Sequence, residues 1–312
     1  MKFRVLTLVL LAALFAALGA ACSDDDEESA GATATTAPAA AFPLTITDDA
    51  GSEVTLDAEP ERIVALAPSY VEVLFEIGAG DKVVAADQNA DYPPEAAALT
   101  KLSGFDPSIE AIVAEDPDLV LIQFDPGGLA DALDSSDIPV VLLASPETLQ
   151  GVYDQIETIG QLSGSTDQAT GLVSEMREEI EGVVAGIPEG AQGPSVFHEV
   201  DNTLFSVGPG SFIHDIYEIL LAENIAADTG SAYPQLNNEA IIAANPDVII
   251  LADEEFGETA ETVGARPGWA EIAAVQSGRI YGVDPDLISR PGPRLPETVR
   301  QLAEYMYPEA SE

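Results

Sequence analysis

Apolar residues between positions 44 and 305 fall into two rhythms. Short unbroken runs at 62–66, 82–85, 118–122, 139–143, 195–200, 248–251 and 279–283 suit strands buried on both faces, as in a parallel sheet. Between them, apolar residues recur three and four apart over 69–77, 108–114, 129–133, 211–221, 238–244 and 296–305, which predicts helices. Pro68-Ser69 reads as a helix start and Gly78 as its stop. Alternation at 44–48 and 53–57 around Asp49-Ala50-Gly51 predicts a hairpin, and a further strand is expected at 204–207. Strands and helices alternate, so the fold class is α/β with mostly parallel sheets.

Residues 147–186 interrupt that alternation with two helical stretches parted by Ser163-Gly164-Ser165. In the second, Leu172, Val173, Met176, Ile180, Val183 and Val184 keep a helical spacing over 166–184. Such a helix spans about 28 Å, enough to cross between two lobes.

A thirteen-residue pattern occurs twice, 129 positions apart and identical at six positions: Glu110-Ala-Ile-Val-Ala-Glu-Asp-Pro-Asp-Leu-Val-Leu-Ile122 and Glu239-Ala-Ile-Ile-Ala-Ala-Asn-Pro-Asp-Val-Ile-Ile-Leu251. Each copy is a short helix, a Pro-Asp stop and a buried strand. The repeat implies two related lobes, with small-molecule binding in the cleft between them. The expected boundaries are an N-terminal lobe over 42–165, a linker helix over 166–187 and a C-terminal lobe over 188–312.

The ends and the charge narrow the setting. Lys2 and Arg4 precede the apolar run 5–17 and a small-residue exit, so residues 1–21 read as a signal peptide. Cys22 is the only cysteine, which rules out an internal disulfide. Its place after small residues resembles a bacterial lipid-attachment site; the alternative is a plain secretory peptide. Residues 22–41, acidic and then rich in Ala and Thr, read as a disordered, lipid-anchored tether. The chain carries 55 acidic and 11 basic side chains, a formal net charge of −44, which repels phosphate backbones and excludes nucleic acid as a partner.

Motifs of catalysis are missing. There is no Gly-x-Ser-x-Gly elbow, P-loop or HExxH, so binding is expected rather than an enzyme. Gly78-Ala-Gly80 follows a helix rather than a strand and reads as a helix end. Gly208-Pro-Gly210-Ser211 runs from strand to helix and reads as a tight turn or an anion-holding amide nest. His198 and His214 do not form a metal pair, and no metal site is expected. His198, with Glu199 and Asp201 nearby, falls at a strand end that faces the crevice of an open sheet, or is structural. His214 reads as a surface or packing residue. Phe105, Phe124 and Tyr233 lie in loops beside strands or repeat helices, where aromatic faces grip a flat ligand; Tyr92, before Pro93-Pro94, reads as structural.

The segments Arg62-Ile-Val-Ala-Leu-Ala-Pro-Ser69, Asp91-Tyr-Pro-Pro94, the two repeats, Phe205-Ser-Val-Gly-Pro-Gly210, Tyr233-Pro-Gln235 and Arg290-Pro-Gly-Pro-Arg294 together resemble the cobalamin and iron-chelate binding lipoproteins of ABC importers. The resemblance covers about 44–308. It implies two Rossmann-like lobes joined by one long α-helix, limited hinge motion, and a ligand held in the cleft between the lobes. Together with the strand-end reading of His198 and Asp201, the ligand-binding candidates are Tyr70, Asn89, Phe105, Phe124, His198, Asp201, Tyr233 and Arg290. Asn89 stands where cobalamin binders carry Tyr. The family docks on a permease dimer through one Glu per lobe, here Glu110 and Glu239. The implied protein is a lipid-anchored, extracytoplasmic monomer without a resident cofactor. Its ligand is cobalamin or a ferric chelate, with haem, bound through His198 or a Tyr, as a third option. The rivals from other classes are a two-lobed α/β enzyme and a sensor lipoprotein.

Overall fold

The computed structural model describes residues 42–125 and 127–308. The segments expected to be a signal peptide and tether, with Cys22, lie outside the described residues. β1 (Leu44–Thr47) and β2 (Glu53–Leu56) form the expected antiparallel hairpin. Asp48 closes its turn by accepting from the Ala50 and Ser52 amides. β3 (Ile63–Ala65), α1 (Pro68–Glu76), β4 (Val83–Asp87), β5 (Thr100–Leu102), α2 (Ile109–Ala114), β6 (Leu119–Ile122), α3 (Leu129–Asp134) and β7 (Val140–Leu142) follow. Their five strands make a parallel sheet in the order β5-β4-β3-β6-β7. α1 starts on Pro68 and is followed by Gly78 at φ +78°, a left-handed stop that suits glycine. α2 begins where the Ser108 side chain accepts from the Ala111 amide.

α4 (Leu149–Ser163) and α5 (Thr166–Ala185) then pack on each other. A Cβ at Gly160 would come within 2.3 Å of the Ala169 Cβ, so glycine permits their close approach. α5 is the long helix expected from its spacing and buries Ala169, Val173, Met176 and Ile180. It packs on the last helix of the chain, while α4 touches α1 on one side and the first helix of the C-terminal lobe on the other. The chain thus passes between the lobes once, through the long helix α5, and α4 packs against helices of both lobes beside it.

β8 (Ser195–Glu199), α6 (Phe212–Ile219), β9 (Glu223–Asn224), α7 (Asn238–Ala244), β10 (Val248–Leu251), α8 (Ala260–Gly264), α9 (Ala273–Ser277), β11 (Ile280–Gly282), α10 (Pro285–Ser289) and α11 (Leu295–Met306) complete the chain. The second sheet is also parallel, in the order β11-β10-β8-β9. β8, β9, β10 and β11 occupy the places of β3, β4, β6 and β7, and β5 has no counterpart. The sequence repeat thus corresponds to α2–β6 and α7–β10. The strand expected at 204–207 does not form. Leu204 takes φ +67°, and Phe205 makes one antiparallel bridge with Gln235 instead.

One buried cluster runs from Leu119 and Leu121 through Ile156, Met176 and Leu302 to Val196 and Ile250. Separate clusters, around Val64 and Val120 and around Phe197 and Ile249, cover the other sheet faces. Burial on both faces explains why these strands read as continuous apolar runs. No helix among the described residues is long and apolar enough to cross a membrane.

Candidate functional site

In each sheet the chain leaves its first strand toward one side and returns on the other. The crevice between β3 and β6, and that between β8 and β10, are the switch points where open α/β sheets bind ligands. The loop after β4 and the segment after β11 touch, since Arg290 Nη2 donates to the Asn89 carbonyl at 3.0 Å. The C-terminal edges of both sheets therefore border a common space.

Exposed aromatics stand at that edge. The buried Asp87 carboxylate, at the end of β4, accepts from the Asn89 and Gly104 amides at 2.8 and 2.9 Å. A Cβ at Gly104 would lie 2.6 Å from the Leu66 carbonyl oxygen, so only glycine fits there. That turn presents Phe105, 71% exposed, next to Phe124, 37% exposed, after β6. Their ring centroids are 5.2 Å apart at 49°. On the other lobe Tyr233 is 50% exposed, with Phe205 and Phe256 also open to solvent. Gln235 Nε2 donates to the Thr203 carbonyl at 2.9 Å and braces the Tyr233 loop. Large apolar rings left uncovered in this number mark a contact surface.

A bank of ions crosses between the lobes beside them. Arg290 Nη1 donates to Glu72 Oε1 at 3.0 Å and to Asp91 Oδ1 at 2.8 Å. Its Nη2 also contacts Asp286 Oδ2 at 2.5 Å. Arg294 donates to both Glu72 oxygens, at 2.8 and 2.7 Å, and lies over the Tyr92 ring at 4.4 Å. Tyr92 is thus held by a cation of the opposite lobe, not by local packing alone.

Several candidates from the sequence are placed elsewhere. Tyr70 lies in the core, and its hydroxyl donates to the Leu143 carbonyl, so it offers nothing to a ligand. His198 is buried as well. Strand alternation turns it away from Glu199 and toward α6, where Nδ1 meets the Tyr217 hydroxyl at 2.7 Å. Burial pushes its pKa down to about 3, so the ring is neutral at physiological pH. Asp201 closes a local turn by accepting from the Thr203 amide at 2.8 Å. Arg290 is at the edge but only 8% exposed. Asn89 is exposed beside it. Arg266 donates to both oxygens of the buried Glu199, at 2.6 and 2.5 Å, and lies 4.7 Å from the Trp269 ring centroid. Gly208-Pro-Gly210 forms the tight turn; Ser211 Oγ accepts from the His214 amide at 3.3 Å, and His214 is buried against Asn224.

Sequence patterning does not single out Asp253, yet the repeat offset places it at the position of Phe124. It is buried, and neither carboxylate oxygen has a hydrogen-bond partner. Burial first, then the charges of Glu199 and Glu258, push its pKa up to about 7. The folded chain therefore keeps this proton at pH values where the unfolded chain has lost it. Stability associated with Asp253 is present at low pH and is lost as pH rises through about 7. Asp253→Asn is expected to stabilise the protein at pH 8 by up to about 4 kcal/mol, since the pKa rises from 3.8 to about 7 and each pKa unit corresponds to about 1.4 kcal/mol, and to leave it nearly unchanged at pH 4. Urea unfolding at the two pH values checks this; an equal change at both contradicts it.

Glu110 and Glu239 are exposed in the first turns of α2 and α7, the equivalent helices of the two lobes. No group of three or more His, Cys, Asp or Glu able to hold a metal occurs among the described residues. A cavity of about 770 Å³, lined by Asp48, Asp118, Asp134 and Pro139 among others, lies at the hairpin and the N-terminal ends of β6 and β7, away from the aromatics.

Two parallel α/β lobes bridged by helices, with exposed rings where their strand ends meet, define a solute-binding protein. A profile of the family described as "Periplasmic binding protein" matches residues 63–287, and the chain belongs to that family. The chain is 37% identical over 276 residues to a Bacillus subtilis protein named an ABC transporter substrate-binding lipoprotein, covering 86% of this chain and 87% of that one. It is 33% identical over 278 residues to a Halobacterium salinarum protein named a cobalamin-binding protein, covering 85% and 74%. A solved structure of a possible iron-binding, periplasmic solute-binding protein from Staphylococcus epidermidis superposes with a TM-score of 0.71 at 28% identity, covering 80% and 99%. The chain is accordingly an extracytoplasmic solute-binding protein with two lobes and a cleft between them, and not an enzyme.

Proposed function

We propose that the protein captures a corrinoid between its lobes and delivers it to an ABC permease. The observation that carries this reading is the presence of exposed rings on both lobes at the strand ends, Phe105 with Phe124 on one and Tyr233 with Phe205 on the other. Two apolar faces suit a large flat ligand whose rim carries the polar groups. The cobalamin-binding name of the Halobacterium relative supports the same ligand. A ferric chelate is the second reading, favoured by the iron-binding name of the Staphylococcus structure. Haem held through His198 is disfavoured, because that ring is buried and bonded to Tyr217. Further parts of the proposal are a monomer anchored through a lipid on Cys22, no resident cofactor, and docking of Glu110 and Glu239 on a dimeric permease.

The test is a thermal-shift panel of cyanocobalamin, cobinamide, haem and ferric siderophores. Stabilisation by corrinoids is expected, and Phe124→Ala should weaken their binding by at least about tenfold, the scale of a buried aromatic anchor. Stabilisation by haem or a siderophore with no response to either corrinoid overturns the preferred ligand.

A further inference from the structure

The cations at the cleft edge are already occupied. A guanidinium has five N–H donors, four of them on its two terminal nitrogens. In Arg290 those four meet Glu72, Asp91, the Asn89 carbonyl and Asp286. Arg294 is engaged by both oxygens of Glu72 and covered by Tyr92. Lys101, the next cation along this edge, donates to the Ala90 and Ala96 carbonyls. With Lys101 set against the nearby Asp87 carboxylate, the two guanidiniums stand against three carboxylates, which leaves one negative charge in excess.

The order of exposure matters as much as the sum. Arg290 is buried, whereas the Asp91 and Asp286 side chains are 67% and 45% exposed. An arriving ligand meets carboxylates before it meets the guanidinium. Binding an anion through Arg290 requires displacing one of these partners and drawing an acidic group against two more. Of the partners, Glu72 is buried and holds the lobes together. Asp91 and Asp286 are the ones whose removal frees Arg290 without emptying its buried side.

We propose that Asp91 and Asp286 determine ligand charge: by occupying Arg290 they restrict the cleft to uncharged or cationic macrocycles and chelates and reject anionic ones. This rests on the reading of the protein as a solute-binding protein with its site at the aromatic edge, and it narrows the ligand within that reading.

The experiment compares affinities by isothermal titration for the wild type, Asp91→Asn/Asp286→Asn and Glu179→Gln. Glu179 is an exposed α5 residue that controls for loss of overall negative charge. The probes are cyanocobalamin, which is uncharged, its monocarboxylic hydrolysis product, which is anionic, cationic ferrioxamine B, and the anions haem and ferric enterobactin. The wild type should favour cyanocobalamin over its carboxylate by about tenfold or more, and the double variant should shrink that preference by about tenfold, equivalent to about 1.4 kcal/mol. Glu179→Gln should leave the preference as it is. Equal binding of cyanocobalamin and its carboxylate by the wild type overturns the proposal and leaves the corrinoid reading standing. Tightest wild-type binding of haem or ferric enterobactin overturns it whatever the corrinoids do. Binding of ferrioxamine B without either corrinoid removes the corrinoid reading and supports the charge rule. Binding of none of the five probes removes both. If the double variant unfolds, Asp91→Asn alone is read, and an unchanged preference in that folded variant overturns the proposal.

Discussion

Reversing both Glu110 and Glu239 to Arg is expected to abolish solute uptake in cells while ligand affinity stays within about twofold of the wild type, too small a change to reflect a lost binding contact. The two carboxylates occupy matching places, each in the first turn of the helix that precedes the second central strand of its lobe. A pair of equivalent charges on pseudo-symmetric lobes suits a partner with a two-fold axis. Their local structural role is modest. An acidic residue in a first helical turn contributes about 0.3–1 kcal/mol through the helix dipole, and the helices keep their Ser108 and Asn237 caps, although the Ser108 hydroxyl loses Glu110 as its acceptor. The double variant should therefore stay folded, and its Tm separates lost docking from lost structure. Single reversals should leave partial transport, because one lobe still engages. Normal uptake by the double variant, measured with labelled ligand in cells lacking the wild-type copy, would remove these residues from the docking surface.

How much of this was legible in the sequence depends on the range of the interaction that decides it. Strands buried on both faces announce themselves locally, so 118–122 and 248–251 correspond to β6 and β10 within a residue, and α7 coincides with its expected range. β5 and β9 are two or three residues long at or near sheet edges and carry polar residues, Thr100-Lys101 and Glu223-Asn224, that give no strand signal. The segment 204–207 has strand composition, but a left-handed Leu204 turns it toward Gln235.

The same distinction governs the site. The exposure of Phe105, Phe124 and Tyr233 was readable because an aromatic in a Gly- or Pro-rich loop has few ways to be covered. Tyr70, His198 and Arg290 were not. Their fates depend on Leu143, Tyr217 and Glu72, which lie 73, 19 and 218 positions away. Asp253 is the instructive case. The repeat aligns it with an exposed Phe, yet no local pattern reveals that burial, and then the charges of Glu199 and Glu258, raise its pKa.

Glu72 illustrates how far such a long-range contact reaches, since Glu72→Ala is expected to lower the Tm by about 10 °C. Its buried carboxylate receives hydrogen bonds from Arg290 and Arg294, so one α1 side chain binds two cations of the other lobe. Removing one partner of a buried ion pair costs about 3–5 kcal/mol, because the remaining charge stays desolvated. For a chain of this size each kcal/mol corresponds to about 2–4 °C. Asp91 and Asp286 remain near Arg290, whereas Arg294 loses its contacting carboxylate and is left with the more distant charge of Asp284 and the face of Tyr92. The exposed Glu179–Arg300 pair supplies the comparison, for which Glu179→Ala should cost under about 1 kcal/mol. Circular dichroism melts of both variants decide it. A Glu72→Ala loss no larger than that of Glu179→Ala would mean that the lobes are held by the α4–α5 packing and the shared apolar core alone, with the ion bank free to rearrange when ligand arrives.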